Sequence, residues 1–568
     1  MKKIYTIIVF ISFSLLGFSQ NNYYVSPTGN DSNDGTITFP WQSIQYGFDQ
    51  IIAGDTLNIL EGVYQQKLFL EVSGTADQMI TIRAFQGQNV VIDAFSFSDN
   101  EPIFYAESIS NIRVEGLHFT NNFNVDGAGF FVQGWGSNWE VINCKFSNIA
   151  ISTDPDFPVS EATNMPVVLF TGTGASDSLY NILIQGNEVF NCRPGYSECI
   201  SLGGNLSGFS INNNHVHDNT NIGILAGGNY IESPSPSLDH ARYGLIKNNH
   251  CHHNISPYSP AAGIYIDGGE NVLIENNTCH HNGYGGEIGC EETGNCSFII
   301  FKNNVFYYNT SAGMHIGGYD VSTGGFVEFS QVLNNTFYHN DSNEEGNGEI
   351  IFTQFENGIV NNNIFYISSQ NYFISNDRAQ PNLAMDYNLV YCEAGQDYIE
   401  AYWNDNDLSG LDNIYNTINI GEHDTYGNPL FSNPTNYDFH IPSASPALNQ
   451  GDPNYSSGYS EVDMDGEARI NNNRIDCGAD EHYPYTEIAD VLPPIIGYYP
   501  NPTNDVIYLL GDEIEGNYQL VSISGTVIIE GILCSNKIDI STLENGMYFL
   551  LLNDYINDQT YSLKIIKE

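Results

Sequence analysis

The chain has 568 residues and sets 16 Lys plus Arg against 67 Asp plus Glu, a net charge of −51. So acidic a surface repels nucleic acid and anionic lipid, which removes both as credible partners, and it repels a polyanionic glycan unless divalent cations bridge the two. The length exceeds what one ordinary core can organise, unless that core grows along an axis.

The first twenty residues, MKKIYTIIVFISFSLLGFSQ, run from two lysines through an apolar stretch to small and polar residues. That order predicts a cleavable secretory signal over 1–20, cut near Ser19 or Gln20. Without Lys2 and Lys3 the balance becomes −53. No later stretch approaches the roughly 20 apolar residues of a membrane helix. The expectation is an exported monomer with no integral membrane segment. In that oxidising setting Cys192 with Cys199, and Cys290 with Cys296, are close enough in sequence to bridge surface loops. No Cys/His spacing matches a zinc site.

Residues 21–65 precede a repeating region. From Trp41 to Ile52 the spacing is helical, with Trp41, Ile44, Phe48, Ile51 and Ile52 on one side and Gly54 closing the run. An amphipathic helix there would cover the open end of a solenoid.

Between 66 and 425 the chain repeats itself. NILIQGNEVFNC (181–192), GFSINNNHVHDN (208–219), YGLIKNNHCHHN (243–254), NVLIENNTCHHN (271–282), FIIFKNNVFYYN (298–309), FSQVLNNTFYHN (329–340) and NGIVNNNIFYIS (357–368) align on an Asn pair. The second Asn recurs at 214, 249, 277, 304, 335 and 363, a period of 27 to 35 residues. Each unit alternates apolar and polar residues, turns at Asn, and alternates again, which is strand, turn, strand. Stacked units share one core, so the fold class is all-β, a parallel β-helix. The second Asn residues are expected to form a ladder in the turn and to adopt its left-handed conformation. Val216, Cys251, Cys279, Phe306, Phe337 and Phe365 fill the interior. His217, His252, His280, Tyr307, Tyr338 and Tyr366 make an outward column that passes smoothly from His to Tyr, as a solvent-facing aromatic stack would. Lys247, Glu275 and Lys302 form a column of alternating charge.

On the same alignment the strand at 263–267 stacks on 285–289, on 313–317, and on 347–351. Tyr265, Glu287, His315 and Glu349 then face outward, one per coil, with Asp267 two residues on and Glu291, Glu292 and Asp320 just beyond. The insertions at 229–244 and 254–263 bring Tyr230, Asp239, His240, Arg242 and Tyr258 to one side, and Tyr284 and Tyr319 add aromatic surface. A groove with aromatic walls and a carboxylate floor suits glycan cleavage. Adjacent coils place carboxylates about 5 Å apart and alternate coils about 10 Å, against roughly 5–5.5 Å for a retaining and 6.5–9.5 Å for an inverting glycosidase. Asp267 with Glu287 or Glu291 fits the first, and Glu287 with Glu349 approaches the second. Like-charge crowding would raise one carboxyl pKa, as a general acid requires. Glu292 and Asp320 are equally placed to hold calcium. No cofactor is required otherwise.

Residues 426–485 read as a closing segment, 486–498 as a proline-containing linker and 499–568 as a small β-sandwich of alternating strands.

The cap stretch YYVSPTGNDSNDGT with its Trp-containing helix, and the segments at 428–454 and 462–482, resemble those of pectate-lyase-like right-handed β-helix proteins. YPNP, NGMYFL and the ending KIIKE resemble the C-terminal sorting domain of the type IX secretion system of Bacteroidota, which implies passage through the outer membrane by that machinery. GIYIDGG followed by GGEIGCEETG is similar to a pattern of β-helix glycosidases, including the β-helix xylosidases. That resemblance implies a catalytic pair of Asp267 with Glu291 or Glu292. The chain departs from it in having Gly268 where an aromatic is usual, and no sandwich domain interrupts the coils. The leading expectation is a secreted glycoside hydrolase acting on a plant or algal polysaccharide. The alternatives are a calcium-assisted polysaccharide lyase, whose only base set would be Arg242 with His315 or Tyr265, and a non-catalytic glycan-binding or adhesin solenoid.

Overall fold

A computed structural model describes residues 20–483, apart from 319–323, 377, 379, 459–460 and 472–473, together with the strands and some turns between 497 and 567. The signal-like segment 1–19 and the linker at 484–496 lie outside the described residues. Two compact units emerge, 1–482 and 483–568.

The first unit is a right-handed parallel β-helix. Each coil runs through three strands. Ala262–Asp267, Glu270–Glu275 and Thr278–His280 make one coil, and each pairs in parallel with its counterparts in the coils before and after. We call the resulting sheets first, second and third. The 13-residue strand Ile200–Asn212 bends from the first sheet into the second. The expected inward column is in register and fully buried, from Val216 through Cys251, Cys279, Phe306 and Phe337 to Phe365.

The Asn pairs divide their work. The first Asn of each pair is the left-handed residue, at φ 55° for Asn276 and 56° for Asn303, and not the second as expected. The second is buried and forms the ladder. Asn249 donates through N and Nδ2 to Oδ1 of Asn277 at 2.8 and 2.9 Å, and Asn277 repeats this onto Asn304. A second ladder runs through Asn219, Asn254, Asn282, Asn309 and Asn340. The last member of each ladder has donors to satisfy and nothing to accept, and a carboxylate meets that need. Asp424 accepts from Asn388, and Glu349 accepts from Asn340.

At the N-terminal end the helix Ile44–Gln50 is capped by Ser43, whose side chain accepts from the Tyr46 amide. Trp41, Ile44, Phe48 and Ile51 are buried beneath it, whereas Ile52 is 59% exposed. At the other end the hairpin of Glu400–Trp403 and Asn406–Ser409 leads into a helix, Leu411–Ile418, that the sequence reading did not foresee. Segment 428–482 runs back along the coils. The left-handed Asn276 and Asn303 donate to the carbonyls of Asp463 and Val462. Phe431, Phe439 and Ile441 cover Tyr307, Tyr338 and Tyr366. The outward column is therefore solvent-facing only at its histidine end, and it changes to tyrosine where this coat seals it.

The nine described cysteines are free thiols, all buried. Neither expected bridge exists, because these residues fill the core and do not staple loops. Among the described residues no helix is long and apolar enough to cross a membrane.

The second unit pairs Gly497–Tyr499, Val506–Leu510 and Lys537–Asp539 in one antiparallel sheet. Gly516–Ser522, Val527–Leu533, Gly546–Asp554 and Gln559–Lys567 form another. Ile507, Leu520, Ile538, Leu550 and Ile565 make the common core of a small sandwich.

Candidate active site

The outward column of the first sheet runs from Ser201 and Leu225 through Tyr265 and Glu287 to His315. Tyr265, Glu287 and His315 stand on successive coils, as the alignment predicts. Glu349 does not join them. Ile351 pairs with His315, and Glu349 lies two residues earlier with its carboxyl turned inward onto Asn340. The insertion at 341–348 hid this shift. Glu349 is fully buried, and burial pushes its carboxyl up to about 8.

Glu287 and His315 form the outer pair, with Nδ1 of His315 2.8 Å from Oε1 of Glu287. The ring of Tyr284 stacks on His315 at 5.2 Å, and Thr353 Oγ1 lies 3.4 Å from its Nε2. Two residues along the same face Asp267 is almost completely buried. Its Oδ1 accepts from the backbone N–H of Glu291 at 2.9 Å, and its Oδ2 accepts from the hydroxyl of Tyr230. Tyr265 in turn donates to Oε1 of Glu291 at 3.3 Å. A β-carbon at Gly289 would stand 2.3 Å from the Tyr265 hydroxyl, so glycine there makes room for that ring.

Electrostatics follow from this crowding. Burial, and then the neighbouring Glu291, raise Asp267 well above the usual carboxylate range. Desolvation of its carboxyl end, and then Glu287, raise Glu291 in the same direction. The pair retains a proton near neutrality, whereas the rest of the acidic surface does not need one.

Two carboxyls here have no landmark in the sequence. Glu198 is pushed up to about 8, chiefly by burial, and it feels both Asp267 and Glu232. Glu232 is pushed up to about 7 by burial and then by Asp239. Both lie in or before insertions where no Asn pair fixes the register. The one available signal is Gly203, whose missing β-carbon leaves room for the Glu232 carboxylate. Asp239 folds the insertion by accepting from the amides of Ile231 and Ser233, which presents Tyr230 to Asp267.

Other expected members fall elsewhere. Arg242 and His240 belong to the second sheet. Arg242 is buried and donates to Asn205 at 2.8 Å and to the Leu238 carbonyl at 3.1 Å, and His240 pairs with Glu270 at 3.0 Å. Both serve the base of the insertion and do not reach the groove. Tyr258 is half exposed, stacks on Tyr196 and donates to the Gly195 carbonyl. Glu292 is exposed beside Glu291. Tyr319 and Asp320 lie outside the described residues. Lys247 and Lys302 hold Glu275 from either side on the second sheet, as expected.

The coils, the Asn ladders and the acidic strip define a β-helix of the carbohydrate-active kind. Residues 23–229 match the family described as Pel9A-like, right handed beta helix region, and residues 237–323, which carry the strip, match the right handed beta helix region. Residues 497–568 match the secretion system C-terminal sorting domain, so the protein is secreted or displayed at the cell surface by the type IX route. YwoF of Bacillus subtilis is 30% identical over 442 residues, 75% of this chain and 91% of that one. Pectate lyase PEL9 of Emericella nidulans is 32% identical over 151 residues, 20% of this chain and 36% of the lyase. The chain belongs to the pectate-lyase-like right-handed β-helix family that these relatives share. Among solved structures, XylC in complex with xylose is 12% identical with a TM-score of 0.40, covering 96% of this chain and all of that one. Pectate lyase Pel9A is 16% identical with a TM-score of 0.37, covering 82% and 98%.

Proposed function

We propose that the strip is the active site of a glycoside hydrolase acting on a plant or algal polysaccharide. The observation that carries this reading is the proton-retaining carboxyl of Glu291 beside Glu287, on one outward face and linked through Tyr265. Glu291 acts as general acid toward the glycosidic oxygen. Glu287, oriented by His315, is the ionised partner that attacks the anomeric carbon or activates water. Asp267 is too enclosed to meet substrate. It is a positioning residue, holding the Glu291 backbone and the Tyr230 hydroxyl. Tyr284 supplies an aromatic face for a sugar ring.

A lyase is the second reading, favoured by the sequence relation to PEL9. It needs a cation for the uronate carboxylate and a base at C5. Arg242, Lys247 and Lys302 are committed elsewhere, which weighs against it. A polysaccharide panel separates the readings. New reducing ends without unsaturated-uronate absorbance are expected, and that absorbance would overturn the hydrolase. Glu287→Gln and Glu291→Gln should each lower kcat by at least about 100-fold, within the range of general acid–base contributions. Wild-type turnover in either variant would remove that residue from the mechanism.

A further inference from the structure

The third sheet carries a second cluster of reactive side chains, on a different face from the acidic strip. His215, His250 and Thr278 share one column, and His217, His252, His280 and Tyr307 share the next. The sequence reading followed only the second column, so its histidines looked like a plain stack. Rings within that column are parallel, 8° apart for His252 and His280, and their nitrogens point side by side. Diagonal partners are different. His215 and His252 are tilted by 46°, and their Nε2 atoms face each other at 2.8 Å.

His215, His217 and His252 each place one ring nitrogen within 4.8 Å of the other two. Nε2 of His217 is buried and has no hydrogen-bond partner among the described atoms. It stands 3.6 Å from Oε1 of Glu188, whose other oxygen takes Lys145 at 2.6 Å. A buried ring nitrogen left unpaired beside a half-engaged carboxylate calls for a ligand. The rings are also in the right protonation state. Burial and then His217 hold His215 below the ordinary histidine value, and burial and then His250 push His252 down to about 3. Neutral imidazoles offer lone pairs, and three of them with one carboxylate form a donor set suited to borderline divalent ions.

We propose that His215, His217 and His252, with Glu188 as fourth ligand, bind one divalent ion of the zinc class, Zn2+, Ni2+ or Cu2+. Zinc–nitrogen bonds of about 2.0–2.1 Å in a tetrahedron hold nitrogens about 3.3 Å apart, so the His215–His252 contact opens by about 0.5 Å. The tautomer is prepared from behind. With Nε2 on the metal, His252 donates through Nδ1 to Nδ1 of His253, 2.8 Å away. The ion would clamp the successive coils carrying Glu188, His215 and His252 at the end of the third sheet that segment 428–482 leaves uncovered.

Untagged full chain is titrated calorimetrically with Zn2+, with excess Ca2+ present to occupy surface carboxylates. One saturable site per chain is expected, together with the visible absorption of tetrahedral Co2+ when Co2+ replaces Zn2+. His217→Ala and His252→Ala should each weaken Zn2+ at least tenfold and abolish the Co2+ bands, whereas His281→Ala should leave both unchanged. Circular dichroism checks that each variant is folded, and Glu188→Gln supplies a fourth variant that leaves the imidazoles intact. Absence of saturable binding, or wild-type affinity in the folded His217 and His252 variants, overturns the proposal.

Discussion

Replacing Asn277 by alanine tests what holds the coils together. Oδ1 of Asn277 accepts two bonds from Asn249, and its Nδ2 donates to the Ile246 carbonyl at 2.9 Å and to Asn304 at 3.0 Å. Asn277 and its ladder neighbours are buried, so water does not replace what is lost. The variant leaves the Asn249 N–H with no acceptor and removes one partner from the Asn249 amide. At about 1–3 kcal/mol for each buried group left unmatched, the cost is about 2–6 kcal/mol. That is a large share of an ordinary domain's 5–15 kcal/mol. Asn276→Ala makes the internal comparison. It loses the left-handed preference and the bond to Asp463, where the backbone term costs roughly 1–2 kcal/mol. Equilibrium denaturation followed by circular dichroism should rank Asn277→Ala as clearly the less stable of the two. If Asn277→Ala unfolds within about 0.5 kcal/mol of wild type, as an ordinary surface change does, the ladder is ornament and the reasoning fails.

Other outcomes follow from the same geometry. Burial holds Glu349 at about 8 and Asp424 at about 6, so the folded chain keeps protons that the unfolded chain releases near pH 4. Stability should therefore fall as pH rises from about 4 to 8, by a few kcal/mol from these groups, and Glu349→Gln should flatten part of that slope. An unchanged slope in the variant would contradict the assignment. Because the described cysteines are free and buried, excess reductant should not move the melting temperature, and a thiol reagent should label them only after denaturation. A clear drop in melting temperature on reduction would mean that bridges exist. Gly289→Ala should displace Tyr265 and lower turnover with little change in melting temperature, since the new methyl meets the hydroxyl end of a side chain. Intact activity in that variant would show that Tyr265 does not order the site.

The repeat was legible because each coil announces itself twice, once by an Asn pair and once by its apolar alternation. Those signals are local, and stacking merely copies them at the strand spacing. They were enough to place Tyr265, Glu287 and His315 on one column before any coordinates. They failed at Glu349, where an insertion of unusual length broke the count and the alignment carried it two residues too far. They failed also at Glu198, Glu232 and Tyr230, which reach Asp267 from loops without a period. The left-handed role went to the wrong Asn because both members of a pair read alike. Only the turn decides which one points inward.

The sequence by itself determined the solenoid, its interior column, its second-sheet charge column and the identity of its C-terminal unit, since all of these rest on periodic burial or on contiguous motifs. The tertiary structure alone decided which carboxyls are crowded enough to keep a proton, which histidines meet diagonally across coils, and where segment 428–482 lies. Those outcomes depend on insertions and on neighbours more than twenty residues away, for which a linear pattern holds no register.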